Sequence, residues 1–216
     1  LTEAARAALR GTGHSHADHA GPDHEHDHDH AHEEAEAALI DPHVWLDPEV
    51  MERFVDVVRE AMERALEKRG ELTDVLRAEL EGNARAVRSE VAQVAAEYAK
   101  GLEAVERRTI VTHHAAYGWL ARRYDLEVAA VIRPIEGVEP TPGAIASAVE
   151  AIRSAGVEAI FIEPQFSDRA ATRIAEVTGV RVLTLDPIGQ HDWPTMMREN
   201  LKALREGLGA EVAARE

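Results

Sequence analysis

The chain has 216 residues, with 24 basic and 40 acidic side chains and a formal net charge of −16 when histidine is neutral. Forty-five per cent of the residues are hydrophobic, which excludes wholesale disorder, and the length allows one or two domains. The acidity argues against nucleic acid or an anionic membrane surface as main partner, and the absence of cysteine excludes thiolate zinc sites, disulfide frameworks and cysteine nucleophiles.

The chain opens LTEAARAALR, without methionine, and is expected to be the remainder of a longer precursor. Residues 1–10 read as the end of a helix, stopped at Gly11 and Gly13. Of the twelve histidines, eight crowd into 14–32: His14, His16, His19, His24, His26, His28, His30 and His32. Asp and Glu alternate with them and nothing apolar is available to bury, so a mobile, solvated loop is predicted. The interspersed acids argue against a purification tag. No apolar run approaches the roughly 18 residues of a membrane span.

From Pro48 to about Lys68, Val50, Phe54, Val58, Ala61 and Ala65 recur at one-sided helical spacing, with proline suited to the first turn and Gly70 to the residue after the end. A second pattern runs Leu72, Leu76, Leu80, Ala84, Val87, Val91, Val94, Tyr98, Leu102, Val105. Carried by one helix, it makes a rod of about 50 Å, better suited to joining two lobes than to packing inside one. Gly82 and Gly101 are the places where it would break.

After Arg108 the pattern changes to βα units. Strands are predicted at Thr109–Thr112 (TIVT), 128–132 (VAAVI), Ala159–Ile162 (AIFI) and 181–185 (RVLTL). Between them lie a helix capped by Thr141 with Pro142 at its first position, ending at Gly156, and another capped by Asp168 and ending at Gly179. A last helix follows Pro194 and buries Met197, Leu201, Leu204 and Leu208. Near-continuous apolar strands alternating with helices imply an α/β fold with a parallel sheet covered on both faces.

Ligands of open parallel sheets bind beyond the carboxyl ends of the strands. His113 and His114 follow the first strand, Glu163 the third and Asp186 the fourth, while the second ends at Arg133-Pro134. His43 lies outside this set, in IDPHVWLDP just before the Pro48 helix. His43, His114 and Asp186 are nitrogen and oxygen donors that suit Zn²⁺ and, less exclusively, Mn²⁺ or Fe²⁺. Each residue also has a structural reading: His43 as a capping or loop histidine, Glu163 as a buried acceptor, Asp186 as a turn-forming Asp-Pro. His113 and His114 point to opposite sides of an extended chain, so at most one faces the site. No HExxH, P-loop or nucleophile-elbow spacing occurs.

These residues lie in phrases that resemble the zinc/manganese solute-binding proteins of bacterial ABC transporters: DPHVWLDP at 41–48, HAAYGWLARRYDL at 114–126, RPIEGVEPTPGAI at 133–145, IFIEPQFS at 160–167 and LDPIG at 185–189. The resemblance covers roughly 41–208. It implies two α/β lobes joined by one long backbone helix, with metal in the cleft between them. The chain is then divided into a remainder of the N-terminal lobe (1–70, with the His-rich loop at 14–32), a linker helix (71–106) and a C-terminal lobe (107–216).

By the same resemblance His43, His114 and Asp186 are metal ligands, Glu163 supports the site and His113 is an extra neighbour. Histidine at 114 and the His-rich loop point to the zinc-specific members. Family members carry a longer N-terminal stretch holding the first histidine ligand, so the N-terminal lobe is expected to be incomplete here.

The implied function is capture of Zn²⁺ outside the cytoplasmic membrane, in the periplasm or as a cell-surface lipoprotein, and delivery to a membrane permease by a monomer with no catalytic step. The loop histidines are expected to bind Zn²⁺ weakly and raise its local concentration. Binding should weaken below about pH 6, because imidazole must be neutral to coordinate. Other readings are a manganese or iron binder, a metal-dependent hydrolase with Glu163 as base, and a metal buffer using the loop alone.

Overall fold

The structure is a computed structural model and describes residues 41–133 and 140–209. Clustering of the backbone separates Leu1–Pro42 from His43–Glu216, and every helix and strand among the described residues belongs to the second unit. The His-rich loop at 14–32 lies outside the described residues, as do residues 134–139 of RPIEGVEPTPGAI.

A single turn of 3₁₀-helix, Val44–Leu46, leads into α1 (Pro48–Lys68). Asp47 is the N-cap of α1, its side chain accepting from the Glu49 amide at 2.9 Å, with Pro48 at the first position. The chain reverses at Gly70, whose φ of 70° suits glycine, and α2 (Asp74–Glu103) begins at the Thr73 cap. Its 30 residues form one unbroken rod of about 45 Å. Gly82 and Gly101 do not interrupt it. At Gly101 a Cβ would lie 3.1 Å from Leu201, so glycine permits a close helix crossing.

The remaining elements are β1 (Thr109–Thr112), α3 (Gly118–Arg123), β2 (Glu127–Val131), α4 (Pro142–Ala155), β3 (Ala159–Ile162), α5 (Arg169–Thr178), β4 (Arg181–Thr184) and α6 (Trp193–Gly207). The strands make one parallel sheet in the order β2-β1-β3-β4. Adjacent residues on a strand feed opposite faces. Ile110 and Phe161 join a core with α2, α3 and α6; Val111 and Ile160 join a second core with α4 and α5. This is the doubly covered parallel sheet that the apolar strand runs imply.

Three details differ from the sequence expectations. The predicted apolar stripe of α1 is not its buried face: Phe54 is 53% exposed and Val58 39%. The side of α1 that faces α2 is held instead by ion pairs across the two helices, with Arg59 on Glu81 (3.4 Å), Glu63 on Arg77 (3.2 Å) and Asp56 on Arg88. In α2 the stripe is buried only from Ala84 onward, at Ala84, Val91, Val94, Tyr98 and Leu102, and Val87 within it is exposed. Asp168 occupies the N-cap position of α5 but makes no side-chain capping bond, because its backbone is already helical (φ −81°, ψ −2°).

Helix α6 ties the rod to the sheet. The Tyr98 hydroxyl donates to the Met197 carbonyl at 2.7 Å inside the core, and Arg198 bridges Glu90 and Glu97 on the surface. Gly207 packs so tightly that a Cβ there would lie 2.5 Å from the buried Phe161 ring. Gly82 has nothing within 4 Å. Gly82→Ala should therefore stabilise the protein by about 0.5–1 kcal/mol through helix propensity. Gly207→Ala should destabilise it by about 1–3 kcal/mol through overpacking. Urea unfolding of the two variants beside the wild type reads both signs.

Candidate metal centre

β1 delivers two consecutive histidines to the carboxyl edge of the sheet. His113 is 2% exposed, with its ring 5.0 Å from that of Phe166. His114 is partly buried, and its ring lies 5.9 Å from the same Phe166. Its Nδ1 is hydrogen-bonded to Oε1 of Glu163, which follows β3 and is 2% exposed. A carboxylate only accepts, so Nδ1 carries the proton and Nε2 presents a lone pair. That Nε2 lies 3.4 Å from Nε2 of His43, with the rings 5.1 Å apart and near edge-on at 69°.

His43 reaches this place because the turn that follows it is bound to the sheet-bearing part of the unit. Trp45 Nε1 donates to the Pro187 carbonyl at 2.6 Å, and Trp193 Nε1 donates to the Trp45 carbonyl at 2.8 Å. Arg123 of α3 grips both carboxylate oxygens of Asp47 at 2.9 and 3.0 Å. Asp47 is 1% exposed, and this fork raises the Arg123 guanidinium pKa above its ordinary value.

Asp186 follows β4 and is partly buried. The side chain of Asn200 pairs with its backbone on both sides, accepting from the amide at 2.8 Å and donating to the carbonyl at 2.7 Å. Just before it, the Leu185 carbonyl accepts from the buried Tyr117 hydroxyl, whose pKa burial holds well above the ordinary phenol value. The carboxylate itself is turned to its own loop and to Gln165. Among the described residues no three His, Asp or Glu side chains stand together as a preformed metal cage. The structure thus pairs His43 with His114, sets Glu163 behind His114, buries His113 aside, and keeps Asp186 apart from the imidazole pair.

The imidazole pair has a recognisable dimension. Two Zn–N bonds of about 2.0–2.1 Å at the tetrahedral angle place their nitrogens roughly 3.3–3.4 Å apart. The same bonds at a right angle would bring them to roughly 2.9–3.0 Å. The 3.4 Å separation, that of two imidazole nitrogens in contact, is also one that two ligands of a tetrahedral zinc can have. A histidine whose outer nitrogen is held by a carboxylate is the usual way a protein fixes the tautomer and orientation of a metal ligand.

The family model for ZnuA, the periplasmic component A of the zinc-uptake complex, matches residues 2–207. The chain belongs to the ZnuA family. Zinc-binding protein AdcA of Streptococcus pyogenes serotype M3 (strain MGAS315) is 29% identical over 218 residues, covering 96% of this chain and 40% of that protein. The high-affinity zinc uptake system protein ZnuA of Haemophilus ducreyi is 28% identical over 149 residues, 69% of this chain and 46% of its own length. The chain therefore spans less than half the length of these curated relatives. Among solved structures, a Zn(II)-bound variant of AdcAII from Streptococcus pneumoniae superposes with a TM-score of 0.65 at 28% identity, over 81% of this chain and 63% of that one. A crystal structure of ZnuA, at 22% identity and a TM-score of 0.69, shares the fold over 81% of this chain and 62% of its own.

Membership of the ZnuA family agrees with the resemblance carried by the phrases at 41–48, 160–167 and 185–189. Residue types and strand ends pointed to His43, His114, Glu163 and Asp186. They did not point to Trp45, Trp193, Gln165, Asn200 or Arg123, whose roles depend on partners 14 to 148 positions away. One test concerns the tautomer. In metal-free protein, long-range ¹H–¹⁵N spectra should show His114 protonated at Nδ1 and bare at Nε2. In Glu163→Leu that preference should vanish, and the neutral ring should shift toward the Nε2–H form normally favoured in water.

Proposed function

We propose that this chain is the zinc-capturing part of an extracytoplasmic solute-binding protein serving an ABC importer. Zn²⁺ is its cargo, handed to a membrane permease, and the protein performs no reaction on it. The observation that carries this reading is the His43–His114 pair, at a separation that two ligands of a tetrahedral zinc can have, with Glu163 bound to the outer nitrogen of His114. The names of its relatives, zinc-binding AdcA and the zinc uptake protein ZnuA, support the same cargo.

His43 and His114 are the first two donors, and Asp186 is the third, recruited as the cation arrives. Glu163 stays in the outer shell: with His114 interposed, it orients the ring and strengthens its basicity. The close approach of the two imidazoles, with no third His, Asp or Glu grouped with them among the described residues, supports this order of recruitment. The whole protein is read as two lobes, with residues 1–70 the remainder of the first, 71–106 the linker and 107–216 the second. His14, His16, His19, His24, His26, His28, His30 and His32 serve as weak accessory sites that raise the zinc concentration nearby. The periplasm or the outer face of the membrane, as a lipoprotein, is the place of action.

Competition titration with a chromophoric zinc chelator separates tight from weak binding. His43→Ala or His114→Ala should each weaken the tight site by about 100-fold or more, and Mn²⁺ should bind the wild type more weakly than Zn²⁺. Deleting 14–32 should remove only weak equivalents. A tight site indifferent to both imidazoles would overturn the assignment. Loss of all zinc binding on deletion of the loop would favour a metal buffer instead.

A further inference from the structure

The loop after β4 holds the Asp186 carboxylate in an asymmetric way. Oδ1 accepts three N–H donors: Gln165 Nε2 at 2.7 Å, the Ile188 amide at 3.0 Å and the Gly189 amide at 2.9 Å. Among the described residues Oδ2 makes no hydrogen bond of this kind. The two amides belong to the same loop and turn with the carboxylate. Gln165 does not. It comes from the turn after β3, closed by the Phe166 amide on the Glu163 carbonyl at 3.2 Å.

That turn already manages the other half of the centre. Glu163 binds Nδ1 of His114, and the Phe166 ring stands 5.9 Å from the His114 ring. One four-residue segment, EPQF, therefore carries an acceptor for one metal donor and an N–H for another. Of the two, Glu163 is buried and Gln165 is exposed.

We propose that Gln165 is a positioning residue for zinc capture: it ties the Asp186 carboxylate to the turn that orients His114, leaving Oδ2 to meet the cation. This deepens the zinc reading and rests on Asp186 being a ligand. The physical basis is preorganisation. A carboxylate on a free loop must be ordered when the metal arrives, and that ordering weakens binding. A carboxylate tethered through one oxygen to the scaffold of His114 has a short search to make. Hydrogen bonds to the non-coordinating oxygen are also the ordinary outer shell of a carboxylate ligand. Asn200, 2% exposed and gripping both backbone groups of Asp186, fixes the main chain, and Gln165 is the one side chain that joins the Ile188 and Gly189 amides on Oδ1.

The opposite role is a latch, in which Gln165 competes with the metal for Asp186. The two differ in sign. Gln165→Met keeps the length of the side chain and removes the donor. Because Gln165 is at the surface, folding should survive, and thermal unfolding of the metal-free chain checks this.

Zinc affinity and release rate are measured on the full 216-residue chain, wild type, Gln165→Met, Asp186→Ala and the double variant, by chelator competition. Tryptophan emission, to which Trp119 and Trp193 also contribute, reports on the centre through Trp45, whose ring lies 5.3 Å from that of His43, and 14–32 contains no tryptophan.

The expected result is a 3- to 10-fold weaker tight site in Gln165→Met, on the order of one charge-assisted hydrogen bond, with faster release. In the Asp186→Ala background the same change should cost nothing further. Tighter binding, unchanged binding, or an equal loss in both backgrounds would each overturn the proposal. If Asp186→Ala alone leaves affinity intact, Asp186 is not a ligand, and the positioning role falls with it while the imidazole pair stands.

Discussion

The buried carboxylate of Asp47 sits where three parts of the molecule meet. It caps α1 and receives the Arg123 fork from α3, while the backbone amide of the same residue closes the turn after His43 on the Val44 carbonyl. A carboxylate this deeply enclosed is tolerated only if its oxygens are satisfied, and here both are. Loss of one partner from a fully buried pair costs about 3–5 kcal/mol, and less here because the Arg123 side chain is 36% exposed. The consequence for the centre is positional. With Asp47 held against α3 and Trp45 held against Pro187 and Trp193, His43 has little freedom to leave His114, which lies just ahead of α3. The unit that begins at His43 includes all three proposed ligands.

The parallel sheet supplies the rest. Its strands all end at one edge, and the residues that follow β1, β3 and β4 are His113, His114, Glu163 and Asp186. Strand β1 lies directly beside β3, so Glu163 meets His114, and β3 lies beside β4, so Gln165 meets Asp186. Strand order, rather than sequence distance, thus decides which polar groups become neighbours. The two cores on either face hold this edge in place and leave the turns beyond it to differ in burial.

Much of this was legible in the residues. The apolar strand runs, the Thr141-Pro142 and Pro48 starts, and the left-handed glycines at 156 and 179 mark their elements because each acts locally. The stripe on α1 misled for an equally physical reason. Helical periodicity says that one face is apolar, but not what covers it, and in the described structure Phe54 and Val58 remain exposed while the Arg59–Glu81 and Arg77–Glu63 pairs join α1 to α2. The alternation of side chains along an extended chain does not by itself say which of His113 and His114 lies against His43.

By itself the sequence determined the element types, the parallel α/β class and the chemistry of the candidate donors, since propensity, capping and residue type are properties of short segments. Tertiary structure decided which donors meet. The 3.4 Å between His43 and His114 joins residues 71 positions apart, and the Trp45–Pro187 bond joins residues 142 apart. Such contacts arise from strand order and from the docking of a turn on a folded sheet, and no periodicity along the chain encodes them.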